Sequence, residues 1–160
     1  MPALKLIIMR HGESPQGTPD HDRTLSLRGE WDSTSTGEQI KALGWAPDLM
    51  LCSTATRAQK TCSSASFVFD PEPPLALIPS FYNAQIGIIQ AHLSFITNAT
   101  TVMLIGHNPM WSKMSSVLSD TQIALSTANA ALLTIEAPSW KEGIEALGSW
   151  KLEHLIQPRS

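Results

Sequence analysis

Short apolar runs recur along the chain, each followed by small or polar residues. Residues 5–9 (KLIIM) are continuously apolar, as a strand buried on both faces tends to be. Residues 48–52 (DLMLC) and 102–105 (VMLI) share that character, and 75–78, hemmed by prolines, predict a fourth strand. Residues 131–135 and 150–156 complete the set, the last alternating enough to sit at a sheet edge. Between these runs the pattern turns helical. Residues 84–96 place Ile88, Ile89, Leu93 and Ile96 along one stripe, and 54–69 predict a further helix. Residues 26–43 are read as helical despite many Ser and Thr, whose helix propensity is poor. In 108–118, Asn108 suits a cap and Pro109 a first turn. Strands alternating with helices predict an α/β layered domain with a mainly parallel central sheet. No internal repeat is visible, and the proline-rich stretch 71–79 reads as a stiff connection.

Composition narrows the picture. A chain of 160 residues, 42% hydrophobic, fits one compact domain over residues 1–160. The formal net charge of −3 and the lack of a Lys/Arg run leave no basic footprint for nucleic acid. Any bound anion must be captured by a few placed arginines. Cys52 and Cys62 are too far apart for a CxxC pair and lack a metal-ligand pattern, so they read as buried reduced thiols. The apolar run at residues 6–9 is too short for a signal sequence and leads straight into Arg10 and His11. Neither export nor membrane spanning is expected, and a cytoplasmic setting is.

Chemistry gathers behind three of the predicted strands. Arg10-His11-Gly12-Glu13 follows the first, where ligand sites of parallel sheets form. Arginine offers a planar phosphate clamp beside a nucleophilic histidine, and Gly12 would let a ligand approach the backbone. A histidine capping a turn would explain this string equally well on its own. However, 53–58 (STATRA) also follows a strand, with Arg57 in the next helix's first turn, and so does Gly106-His107-Asn108-Pro109. If those strands are neighbours, Arg10, His11, Arg57 and His107 converge on one mouth. Helix N-termini there would add partial positive charge and free N–H groups.

The strings RHGES, STATRAQKT and IGHNP resemble the motifs of the histidine phosphatase (phosphoglycerate mutase-like) superfamily. The short length, DRTLSLRG and the closing WKLEHLIQP look most like the SixA-type phosphohistidine phosphatases. The resemblance spans nearly the whole chain. It implies a three-layer α/β/α sandwich, no metal or other cofactor, and a phosphohistidine intermediate. By the same resemblance His11 is the nucleophile, Arg10 and Arg57 bind phosphate, and His107 donates a hydrogen bond to the phosphoryl group. Arg23 matches an additional basic residue near the pocket, and Gly12 and Asn108 join the substrate-binding set. Two arginines and a protonated His107 could neutralise a phosphoryl group without magnesium. His11 must be neutral to attack, with its other ring nitrogen donating to a carbonyl, as of the backbone.

Many members of the superfamily carry a carboxylic acid that protonates the leaving oxygen, often in the stretch matching residues 80–83 (SFYN). That stretch has no Asp or Glu. Glu13 is a candidate acid/base, or else a structural carboxylate bonded to its loop. Glu72 has a weaker claim among its prolines, and His21 and Asp22 lack the further ligands a metal site needs. No long insertion is available as a lid, which predicts an open pocket. The leading expectation is a phosphatase acting on phosphohistidine in a partner protein. A small-molecule phosphomonoesterase and a non-catalytic phosphate-binding or interaction module are the alternatives.

Overall fold

The computed structural model describes residues 2–159. Six strands form one sheet: β1 (Ala3–Arg10), β2 (Leu49–Ser53), β3 (Leu75–Ile78), β4 (Thr101–Gly106), β5 (Ala130–Glu136) and β6 (Lys151–Ile156). Their spatial order is β3-β2-β4-β1-β5-β6. The pairs β3–β2, β2–β4 and β4–β1 are parallel; β5 and β6 join antiparallel. The sheet is therefore mainly parallel, and β6 lies at an edge as its alternation predicted.

Five helices cover the two faces: α1 (Leu27–Ala42), α2 (Thr56–Ser66), α3 (Ile86–Ser94), α4 (Met110–Ser119) and α5 (Trp140–Glu145). Ile7, Met9, Cys52 and Ile105 pack with Ile40 of α1 and Ala58, Cys62 and Ala65 of α2. On the other face Leu6, Ile8 and Leu104 pack with Ile89, Leu93, Trp111, Leu118 and Ile144 of α3, α4 and α5. Burial on both faces explains why β1, β2 and β4 are apolar without alternation. The result is the three-layer α/β/α sandwich that was expected.

The Ser- and Thr-rich α1 is explained by its packing. Ser26 caps it by accepting from the Gly29 amide, and its buried face comprises Gly29, Ser33, Thr36, Gly37 and Ile40. These small side chains admit a close approach to α2. Their hydroxyls stay paired: Ser33 donates to the Gly29 carbonyl and Thr36 to that of Ala128.

Three details depart from expectation. Helix α4 starts at Met110, with Pro109 outside its first turn. Asn108 still satisfies that helix end, because its Oδ1 accepts from the Ser112 amide and hydroxyl. Ile88 is 42% exposed while Ile89 and Leu93 are buried, so the apolar stripe of α3 is narrower than its composition. Helix α5, only six residues long, was not predicted because it is too short to show a period. Among the described residues, no helix is long and apolar enough to cross a membrane.

Candidate active site

Parallel pairing sets the ends of β2, β4 and β1 side by side, with Arg10 opposite Gly106 and Cys52 opposite Ile105. The residues that follow these strands therefore meet at one mouth. The His11 and His107 rings lie 5.3 Å apart, centroid to centroid. Both histidines and Arg57 are buried.

His11 is held in one chemical state. Its Nδ1 lies 2.7 Å from the Gly12 carbonyl, which can only accept. Nδ1 therefore carries the proton, and Nε2 presents a lone pair. Burial, with help from Arg57 and Arg10, pushes the His11 pKa down to about 4, so the ring is neutral near pH 7.

His107 is fixed by Ser53, a residue whose role the sequence did not reveal. His107 Nε2 is 2.7 Å from Ser53 Oγ, which also accepts from the Ala55 amide. With that amide filling one of its acceptor sites, the Ser53 hydroxyl is free to donate to His107 Nε2. Donation in that direction would put the proton on Nδ1, a buried atom with no partner among the described residues. Burial, reinforced by His11 and Arg57, lowers the His107 pKa to about 3. The expected protonated His107 is thus corrected for the free protein: two buried rings beside two guanidinium groups cannot afford another charge.

Each arginine has terminal nitrogens anchored to the protein and an unpaired Nε. Arg10 Nη1 donates to the Leu125 carbonyl at 3.2 Å. Arg57 Nη1 and Nη2 bind Asp20, through its carbonyl at 2.8 Å and its Oδ2 at 3.2 Å. In both arginines Nε is buried without a partner. Buried unpaired donors are rare and call for an explanation. Here Arg10 Nε, Arg57 Nε and His107 Nδ1 belong to three residues around His11, and a bound oxyanion would satisfy all three.

Other expected residues serve elsewhere. Gly12 is needed for packing rather than for ligand approach: a Cβ there would lie 2.6 Å from the Gly29 carbonyl oxygen, and its N–H donates to Thr61 Oγ1. Arg23 spends its guanidinium on its own loop, donating to the carbonyls of Pro15 and Ser14 and to Asp20 Oδ1. Asn108 donates to the Leu125 carbonyl and accepts from Ser112, which ties α4 to the loop that also holds Arg10. Glu13 is exposed, and its carboxylate makes no hydrogen bond among the described residues, so it is not the loop-bonding group considered above. Glu72 accepts from the Ser66 hydroxyl at the far end of α2.

Two further contributors were not read from the sequence. Asp20 binds Arg57, Arg23 and the Tyr82 hydroxyl together. Tyr82 lies edge-on to His107, 5.6 Å between centroids, and lines a pocket of about 240 Å³ with His107, Asn83 and Gln85. Residues 14–23 thus form a short strap against Arg57, so the site is less open than the lack of a long insertion suggested. His21 lies 3.6 Å from Asp22 and bonds Thr54. Among the described residues, no group of three or more His, Cys, Asp or Glu is placed to hold a metal ion. Cys52 and Cys62 are free and buried.

No protein-family model matches the chain. An uncharacterized chloroplastic protein of Arabidopsis thaliana is 39% identical over 171 residues, covering 98% of this chain and 78% of that protein. A structure from Nakamurella multipartitia, assigned as the phosphohistidine phosphatase SixA, aligns with a TM-score of 0.86 at 22% identity, over 100% of this chain and 99% of that one. The protein histidine phosphatase SixA complexed with tungstate aligns at 0.83 and 20% identity, covering 97% of each chain. The chain belongs to one family with the Arabidopsis protein, and its fold is that of the SixA structures.

Proposed function

We propose that this protein is a metal-independent phosphatase that carries the phosphoryl group on His11, with phosphohistidine of a partner protein as its substrate. One observation carries the reading: a neutral His11, with its lone pair on Nε2, sits near three buried polar nitrogens that lack a partner among the described residues. In the first step Nε2 attacks phosphorus, the new P–N bond forms, and the bond to the leaving group breaks. Arg10 and Arg57 neutralise the equatorial oxygens and His107 donates a hydrogen bond to them, where phosphoryl transfer needs alignment and charge more than covalent help. Water then attacks phosphorus, the P–Nε2 bond breaks, and inorganic phosphate departs with His11 restored.

The named likeness to SixA supports phosphohistidine as the donor, as does the absence of a carboxylate from residues 80–83. An imidazole protonated on its distal nitrogen leaves neutral and needs less acid assistance than an alkoxide. We assign the activity to one domain over residues 1–160, in the cytoplasm and in a signalling role. The test is rapid acid quench after mixing with labelled phosphoprotein or aryl phosphate. Label on His11, acid-labile and base-stable, is expected, and His11→Ala should lose both label and turnover. Unchanged turnover in His11→Ala overturns the mechanism.

A further inference from the structure

A guanidinium that must offer one edge to an anion needs its other edge fixed, and the two arginines of this site solve that differently. Arg10 is tethered by a main-chain carbonyl, that of Leu125. Arg57 is tethered by Asp20, from both its carbonyl oxygen and its carboxylate. Asp20 sits in a 3-10 turn (Asp20–Asp22) with its side chain 52% exposed, whereas the Arg57 side chain is 9% exposed. An exposed carboxylate held by one residue would be mobile. This one is gripped by three: Arg57 Nη2, Arg23 Nη1 and the Tyr82 hydroxyl. Arg23 in turn pins the strap by donating to Ser14 and Pro15. The Tyr82 ring packs 5.9 Å from the Arg57 guanidinium carbon and edge-on to His107, so the same residue touches both halves of the anion site.

We propose that Asp20 is a positioning residue, which, braced by Arg23 and Tyr82, fixes Arg57 with its Nε edge turned toward the phosphoryl group. This rests on the phosphatase reading above. The rival role for such a carboxylate is that of a competitor, which occupies Arg57 until phosphate displaces it. The geometry favours the positioner. Arg57 Nε stays free while Asp20 is bound, and the tether includes a main-chain carbonyl that no incoming anion would need to expel. The ionised form of Asp20 is strongly favoured, first by the Tyr82 hydroxyl and then by Arg23.

The two roles predict opposite signs. Inorganic phosphate binding, measured by calorimetry on the full chain, should weaken about tenfold or more in Asp20→Ala, the scale of one charge-assisted hydrogen bond that orders a second. Asp20→Asn, whose amide oxygen still accepts from Arg57, should retain more binding than Asp20→Ala, and Tyr82→Phe should show a smaller loss of the same sign. Turnover of an aryl phosphate supplies the coupling test. In an Arg57→Ala background, Asp20→Ala should change kcat/KM by less than about twofold, because the effect runs through Arg57. Tighter or unchanged phosphate binding in Asp20→Ala overturns the positioning role, as does full additivity with Arg57→Ala. A wild-type chain that binds no phosphate overturns the active-site reading itself, a result distinct from either.

Discussion

The rings of His11 and His107 lie 5.3 Å apart, tilted by 56°, and each is hydrogen-bonded to a neighbour of its own. The Gly12 carbonyl holds the proton of His11 on Nδ1, and donation by the Ser53 hydroxyl to Nε2 would place that of His107 on Nδ1 as well. The same tautomer yields opposite roles: His11 turns a lone pair to the mouth, and His107 has an N–H to give. In the proposed reaction one ring attacks and the other donates.

Both rings should therefore stay neutral well below the usual histidine range. His11 is expected to titrate near 4 and His107 near 3, against an ordinary 6.5. A depressed histidine pKa means the unfolded chain binds more protons between those limits. The stability these rings contribute is thus present above about pH 6.5 and lost as pH falls toward 4. Proton NMR of the ring signals, assigned with His11→Gln and His107→Gln, checks this. Midpoints near 6.5 for both would contradict the burial argument. The variants should also show a shallower loss of stability than the wild type over the same pH interval.

Ser53→Ala removes the hydrogen-bond partner of His107 Nε2 while leaving every proposed phosphate ligand in place. The expected loss is roughly tenfold in kcat/KM, the equivalent of about 1.4 kcal/mol. Nitrogen-15 shifts of His107 should move from the single Nδ1–H form toward a mixture. An unmoved tautomer in Ser53→Ala would show that something other than Ser53 holds the ring.

Arg57→Ala should cost about 3 kcal/mol or more of transition-state stabilisation, as for loss of one preorganised charged donor. Lysine should rescue poorly, because an ammonium cannot present two parallel N–H groups or accept the two-point tether to Asp20. Steady-state kinetics with an aryl phosphate decide it: a lysine variant within a few-fold of wild type would mean that charge alone suffices. Chelators should leave activity unchanged. Inhibition reversed by added zinc or magnesium would reveal a metal step.

The main site could be read from the chain because each of its parts follows a strand directly. Strand ends in a parallel sheet converge, so Arg10, His11, Arg57 and His107 needed only the neighbour order β2-β4-β1 to meet. Asp20 and Tyr82 were hidden for the opposite reason. They reach Arg57 from loops 37 and 25 residues away in sequence, and no local pattern marks such an approach. Ser53 lay inside a quoted motif, yet its partner is 54 residues distant. Gly12 stands out in the sequence, but its packing against Gly29 does not. Its role depends on how closely α1 passes, which only the folded chain reveals.

That close passage makes a stability prediction. A Cβ on Gly29 would sit 2.3 Å from the Glu13 carbonyl oxygen, a backbone atom that cannot swing aside. Gly29→Ala should destabilise the fold by roughly 1–3 kcal/mol, the usual range for overpacking. It should also lower turnover, since displacing the Glu13 segment moves His11 and Gly12. Urea denaturation with parallel kinetics tests both parts. A stable, fully active Gly29→Ala would mean that α1 can shift away from the loop without cost.

The leaving group tests the substrate assignment. An alkyl phosphate expels an alkoxide, which departs slowly unless an acid protonates it during bond cleavage. The stretch 80–83 supplies no carboxyl group, and Asp20, the carboxylate nearest to it, is kept ionised by Tyr82, Arg23 and Arg57. An ionised carboxylate cannot donate a proton. The Glu13 carboxylate is exposed and makes no hydrogen bond among the described residues, so Glu13→Gln should affect every substrate modestly and to a similar degree. Phosphohistidine differs from an alkyl ester because its distal ring nitrogen takes up a proton near neutral pH, and an aryl oxide is stable enough to leave unaided. The expected order of kcat/KM is therefore phosphohistidine protein and p-nitrophenyl phosphate well ahead of a sugar phosphate, in wild type and in Glu13→Gln alike. A selective loss on the sugar phosphate in Glu13→Gln would identify Glu13 as the acid. Equal efficiency on the sugar phosphate and the phosphohistidine protein would replace the protein substrate with a small ester.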